Sequence, residues 1–227
     1  MAYEYEINEL AKGESWRMFR IIGELVEGFD KLADLEPAVS IYGSARVTQG
    51  DELYEQTREI ARRLGDMGFS IITGGGPGVM EAANKGAMEA GVTSVGLNIQ
   101  LPQEQASNAY ATKSITFNHF FVRKIMLVKY ASAFIIMPGG LGTLDEVTEL
   151  LTLMQTHKIK PFPVVLFESV YWKGFSDWLQ DSALSRGFIS EEDFDLLRIC
   201  DHVDEVIEAV RKWREKHQVI GKKAVST

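Results

Sequence analysis

The chain has 227 residues, 45% of them hydrophobic, and a formal net charge of −8. That length and apolar share suit one sizeable core, or one domain with an appendage, and an acidic chain without a basic tract excludes nucleic-acid binding through a charged surface. A single cysteine, Cys200, excludes an intrachain disulfide and fits a reducing cytoplasm, and no apolar run approaches the roughly 18 residues of a membrane span.

Residues 1–14 (MAYEYEINELAKGE) are acidic, lack the apolar segment of a leader and read as loosely attached. Trp16, Phe19, Ile22, Val26, Phe29 and Leu32 then recur at spacings of three and four. They predict a helix from Ser15 to Leu35, with Ser15 as N-cap and Pro37 ending it. This helix precedes the first strand, so it is expected to cover a sheet edge or to pack on a partner subunit. Ala38–Tyr42 is the first core strand and leaves through Gly43-Ser44-Ala45-Arg46. A helix from about Glu52 to Met67 carries Leu53, Ile60 and Leu64 inward. Phe69–Thr73 is a strand, Gly74–Gly78 a turn and Val79–Ala90 a helix. Val92–Asn98 is the third strand, and the polar Ile99–Ala111 stretch reads as a loop over the site. Thr112–Phe117 is extended and Asn118–Tyr130 helical. The strand at Ala133–Met137 and the helix at Leu144–Thr156 follow. Val164–Phe167 is another strand, Tyr171–Leu184 an aromatic-rich helix, and Ser190 opens an acidic first turn. Leu197–Cys200 reads as a short last strand, which places Cys200 in the core. Val203–Lys216 is the closing helix.

This alternation predicts an α/β fold: a single doubly wound, Rossmann-like parallel sheet with helices on both faces and an extra N-terminal helix. The expected divisions are a helical extension at 1–36, a nucleotide-binding domain at 37–217 and a polar tail at 218–227.

Two strand-to-helix junctions carry glycine turns, Gly74-Gly75-Gly76-Pro77-Gly78 and Pro138-Gly139-Gly140-Leu141-Gly142. Glycine lets a ligand approach the backbone, and the unpaired first N–H groups of a helix favour an anion. Both turns fall at the carboxyl edge of a parallel sheet, where such folds bind ligands. Neither has the Lys-Ser/Thr ending of a P-loop. Neither completes a dinucleotide fingerprint: Val79 and Asp145 stand at the third glycine sites, and the acidic residue about 20 positions on is missing. Two short turns on one cleft suit a mononucleotide or a sugar phosphate.

The pair GGGPGVMEAA (Gly74–Ala83) and PGGLGTLDE (Pro138–Glu146), with Arg123-Lys124 one strand upstream, resembles the Lonely Guy family, often labelled lysine decarboxylases. The resemblance runs from about Val39 to Val210. Phe120, Phe121 and Val122 stand where many members have Met-His before the Arg-Lys pair, and the first strand leaves through GSAR rather than GSS. The resemblance implies a phosphoribohydrolase that cleaves the N-glycosidic bond of a nucleoside 5′-monophosphate, such as AMP or an N6-substituted AMP. It implies Glu146 and Arg123 as the catalytic pair; no metal-ligand spacing appears among the four histidines, so no metal is expected, and no cofactor either. Substrate contacts are expected from Ser44, Arg46, Gly74, Gly75, Gly76, Gly78, Met80, Lys124, Gly139, Gly140, Gly142 and Thr143. The phosphate is expected on N–H groups near Gly75, Gly76, Gly78, Gly142 and Thr143.

Each of these residues also has a structural reading. Thr143 and Glu146 spell T-x-x-E, a capping box. Arg123 can be a surface ion pair, Lys124 points elsewhere if it lies one step round the helix, and His119 can be a cap. Ser44 and Arg46 can simply hold their turn, and Met80 and Met126 can be lining or core. A carrier of a nucleotide-like cofactor and a pyridoxal-phosphate decarboxylase are the competing functions, the latter lacking a recognisable Schiff-base lysine. The helix holding Arg123 is apolar on more than one side, which with the resemblance implies a homodimer or a larger homo-oligomer.

Overall fold

The computed structural model describes residues 14–35, 37–101 and 107–224. The expected looseness of residues 1–13 and most of the middle of the Ile99–Ala111 loop lie outside the described residues.

Seven strands form one parallel sheet: β1 Ala38–Tyr42, β2 Ser70–Thr73, β3 Ser94–Ile99, β4 Lys113–Phe117, β5 Ala131–Ile136, β6 Val164–Phe167 and β7 Leu197–Cys200. Their order is β4-β3-β2-β1-β5-β6-β7. The chain winds outward from β1 to β4, returns to place β5 beside β1, and winds outward again. Strands buried on both faces read as unbroken apolar runs. β1 and β6 are buried throughout.

One face of the sheet is covered by α2 (Glu52–Asp66), α3 (Val79–Glu89) and α8 (Val203–Ala224). Ile60, Leu64, Val79, Ala83, Val206 and Val210 pack there on Val39, Ile41, Ile71 and Ile135. The opposite face is covered by α1 (Glu14–Leu32), α4 (Phe120–Lys129), α5 (Leu141–Gln155) and α6 (Ser169–Trp178). Leu32, Met126, Leu127, Val147, Leu150 and Trp172 pack there on Tyr42, Ile72, Phe134 and Ile136. A π-helical turn, Leu179–Leu184, prolongs α6, and the short α7 (Glu191–Phe194) starts with a Ser190–Asp193 capping box. Cys200 is buried at the end of β7, and burial raises its thiol pKa. No helix among the described residues is long and apolar enough to cross a membrane.

Several boundaries differ from the sequence reading by a few residues, such as the end of α1 at Leu32 and the start of β3 at Ser94, and three of the differences matter here. Glu14 is already helical, so Ser15 lies inside α1 rather than capping it. α5 starts at Leu141, three residues before the expected Leu144, because Gly140 serves as N-cap without any side-chain bond to mark it. α8 continues to Ala224, past the expected end at Lys216, so residues 218–224 of the expected polar tail are helical. Much of the apolar stripe of α1 is also left uncovered by the described residues: Trp16 is 75% exposed and Phe19 65%. Leu32 faces the core with Ile21 and Leu25 beside it.

Candidate functional site

The winding of the sheet reverses between β1 and β5, the place at the carboxyl edge where such folds bind ligands. A cavity of about 830 Å³ opens there, lined by the exits of β1, β2, β3 and β5 and by α4 and α5. Three of the exits are stitched together through the backbone. Ser44 N–H donates to Pro138 O (3.0 Å), Val79 N–H donates to Ser44 O (3.0 Å) and Met137 N–H donates to Tyr42 O (2.8 Å). Ser44 Oγ also accepts the Arg46 N–H at 3.1 Å. Ser44 and Arg46 therefore both shape their turn and line the cavity. Gly78 caps α3 at φ 71°, with Ser44 O only 2.4 Å from where a Cβ would stand. Only glycine meets both conditions.

Glu146 lies in the second turn of α5 and lines the cavity. Because α5 is capped by Gly140, Thr143 and Glu146 do not form the capping box that T-x-x-E spells. Glu146 Oε2 is buried and has no hydrogen-bond partner. Burial pushes its carboxyl up to about 7, against the pull of Arg123 and Lys124, with Glu149 and Asp145 pushing the same way as burial.

Arg123 enters the same cavity from the first turns of α4. Its Nε donates to Leu97 O at the end of β3 (2.7 Å). Its guanidinium lies against Gly74, where a Cβ would come within 2.3 Å of Nη2. Burial lowers its pKa and the charges of Glu146 and Tyr42 oppose that shift; a guanidinium stays cationic throughout. The site therefore sets a fixed cation and an unpartnered acid along one wall, beside two glycine turns.

A family model described as "Possible lysine decarboxylase" matches residues 80–210. The chain belongs to this family. Its curated relatives include cytokinin riboside 5′-monophosphate phosphoribohydrolases, as the Lonely Guy resemblance anticipates. The protein of that description from Mycobacterium tuberculosis is 28% identical over 75% of this chain and 91% of its own length. The one from Oryza sativa is 30% identical over 59% of this chain and 56% of its own. Among solved structures, the molybdenum cofactor binding protein of Rippkaea orientalis superposes with a TM-score of 0.57 at 20% identity, over 77% of this chain and 94% of that one. The molybdenum cofactor carrier protein of Chlamydomonas reinhardtii gives 0.58 at 23%, over 79% and 98%. At these identities the likeness is one of fold.

In this Lonely Guy family member, Gly74, Gly76, Met80, Gly139, Gly140, Gly142 and Thr143 line the cavity with Ser44, Arg46, Arg123 and Glu146. Gly75, Gly78 and Lys124 do not. The Gly75 N–H is taken by Thr73 Oγ1 at 3.0 Å, and its carbonyl accepts from Asn108 N–H at 2.9 Å. The Thr143 N–H is taken by Gly140 O. Neither amide is open to a phosphate as the sequence reading expected. Lys124 turns to α5 instead. Its Nζ lies 2.9 Å from Asp145 Oδ2, and 3.2 Å from Glu149 Oε2 in an ion pair without hydrogen-bond geometry. Although burial opposes it, these carboxylates raise the ammonium pKa. His119 is the N-cap residue of α4, and Met126 is core.

The sequence reading missed Tyr42, Asn98, Phe120 and Tyr171, all of which line the cavity. Tyr42 ends β1 and Asn98 comes near the end of β3, so their place at the carboxyl edge was the available signal. Burial, then Glu146, holds the Tyr42 phenol well above its ordinary pKa. Tyr171 arrives from α6 and donates its hydroxyl to Gly139 O, a contact that nothing local encodes.

Proposed function

We propose that the protein hydrolyses the N-glycosidic bond of a nucleoside 5′-monophosphate, AMP or an N6-substituted AMP, to the free base and ribose 5-phosphate. Water supplies the oxygen that bonds to the anomeric carbon. The C1′–N bond breaks, and the base leaves with its electron pair and takes up a proton. The sugar ring becomes cationic on the way. Glu146 stabilises that charge and orients the water, much as the carboxylates of glycosidases do. Arg123 binds the substrate and holds Glu146 in electrostatic register. The phosphate rests at the two turns, around Gly76 and around Gly140 and Gly142 at the start of α5. The observation that carries this reading is the Glu146 oxygen buried beside Arg123 without a partner, in a cavity of nucleotide dimensions. A purely structural acid in such a setting would be costly. The names of the curated relatives point to the same reaction.

The test is base release from AMP and N6-substituted AMP, followed by chromatography. Wild-type protein releases base. Glu146→Gln and Arg123→Ala each lower the rate by roughly 10²–10³-fold, the usual cost of removing a charge-stabilising group. No release by wild type, or undiminished release by Glu146→Gln, refutes the proposal.

Two other readings make different predictions. A carrier of a nucleotide-like cofactor, in keeping with the molybdenum cofactor proteins that share the fold, retains ligand through purification and turns nothing over. A pyridoxal-phosphate decarboxylase needs a lysine in the cavity, and no lysine is among the residues that line it.

A further inference from the structure

α1 stands outside the stretch that the family model matches, yet it reaches the helix that carries Arg123. The two helices run in the same general sense and meet at three places. Glu24 meets Asn118 and His119, Gly28 meets Met126, and Phe29 O accepts from the Tyr130 hydroxyl. At Gly28 a Cβ would stand 2.7 Å from Met126 Cε, so the methionine side chain lies directly over the glycine.

Glu24 is only 8% exposed. Its Oε1 accepts from Asn118 Nδ2 at 2.8 Å and lies 3.1 Å from His119 Nδ1. Its Oε2 accepts the backbone N–H groups of Asn118 at 3.2 Å and His119 at 3.3 Å. His119 is the N-cap of α4, its own side chain makes no capping bond, and the first turn contains no acidic residue. A helix start has unpaired donors and favours negative charge. Here α1 supplies that carboxylate from a distant part of the chain. His119 gives its N–H to Glu24, and its carbonyl accepts the Arg123 N–H at 3.2 Å. One residue thus joins the acid of α1 to the backbone of the cationic site residue.

We propose that Glu24 is a positioning residue for the reaction: it clamps the first turn of α4 and so sets where the Arg123 guanidinium lies in the cavity. This rests on the reading above that Arg123 engages the substrate.

The test uses the full chain and two readouts. Amide hydrogen exchange needs no substrate, and in Glu24→Ala it accelerates at residues 118–123. The kcat/KM for AMP falls by roughly 10–100-fold, the scale of an ångström-level misplacement. Glu24→Gln keeps an acceptor and recovers part of the loss. In an Arg123→Ala background, Glu24→Ala lowers kcat/KM by less than about twofold more, because coupled residues are non-additive. Leu32→Ala destabilises α1 elsewhere and leaves kcat/KM near wild type at a temperature where both variants are folded. Additive losses, or a Leu32→Ala variant that reproduces the defect, overturn the positioning role. Unchanged exchange at 118–123 overturns the clamp itself. If wild type binds AMP but releases no base, the hydrolase reading alone fails, and AMP affinity replaces kcat/KM in the same cycle. A protein that neither binds nor cleaves AMP overturns both.

Discussion

Glu146 sets the terms at the scale of single residues. Its folded pKa of about 7 lies above the ordinary 4.5, so the fold favours the protonated acid. Below about pH 4.5 both folded and unfolded chains hold the proton and there is no penalty. Stability falls as the pH rises from there to about 7, and a constant penalty of at most about 3 kcal/mol remains above it. Glu146→Gln is therefore expected to raise the melting temperature at pH 8 and to leave it nearly unchanged near pH 4.5, which thermal melts at the two pH values check. On the proposed reaction the same variant is expected to lose base release, and the side chain would then trade stability for chemistry. For wild type, the proposed reaction predicts a kcat/KM that rises with pH and levels off above about 7, because in it the ionised acid is the form that stabilises the sugar cation. A profile that instead falls through 7 would make Glu146 a proton donor.

Individual elements show which parts of the site could be read in advance. Both glycine turns, the strands before them and α3 were legible, since apolar runs ending in glycine report on buried strands leaving a sheet. Gly78 was legible as part of a turn, but its contact with Ser44 O joins chain segments far apart in sequence. Gly78→Ala forces a left-handed backbone on a residue with a Cβ and drives that Cβ into a carbonyl. It is expected to cost about 2–3 kcal/mol, measurable as a lower urea midpoint with an unchanged slope. The start of α5 was misplaced because Gly140 and Gly142 look like turn residues and the cap uses no side chain. That error made Glu146 look like half of a capping box. The Gly75 and Thr143 amides are engaged locally, by Thr73 Oγ1 and Gly140 O two and three residues back, whereas the Lys124 ion pairs and the Tyr171 bond to Gly139 depend on where whole elements settle. No local pattern records that.

For the molecule as a whole, the periodicity of α1 was correctly helical, but it marked a face that the described residues do not cover. Trp16, Phe19, Ile22 and Val26 on α1 and Phe120, Phe121 and Ile125 on α4 remain open to solvent on two helices packed side by side. Apolar patches of this kind mark interaction surfaces. Light scattering is expected to give a homodimer or larger species for wild type, and a single chain for the Phe19→Glu/Val26→Glu double variant. A wild type that is monomeric at tens of micromolar counts against self-association. Phe120 also borders the cavity, so association there would bear on its mouth. The reversal of winding beside the cavity has a cost during synthesis. β1 zips to β2 early, but its other flank must wait for β5: Ala38 pairs with Ala131 and Ser40 with Phe134. Until those residues emerge from the ribosome, a nascent chain carries the middle strand of its future sheet with one side bare. It is then most vulnerable to sticking to its neighbours.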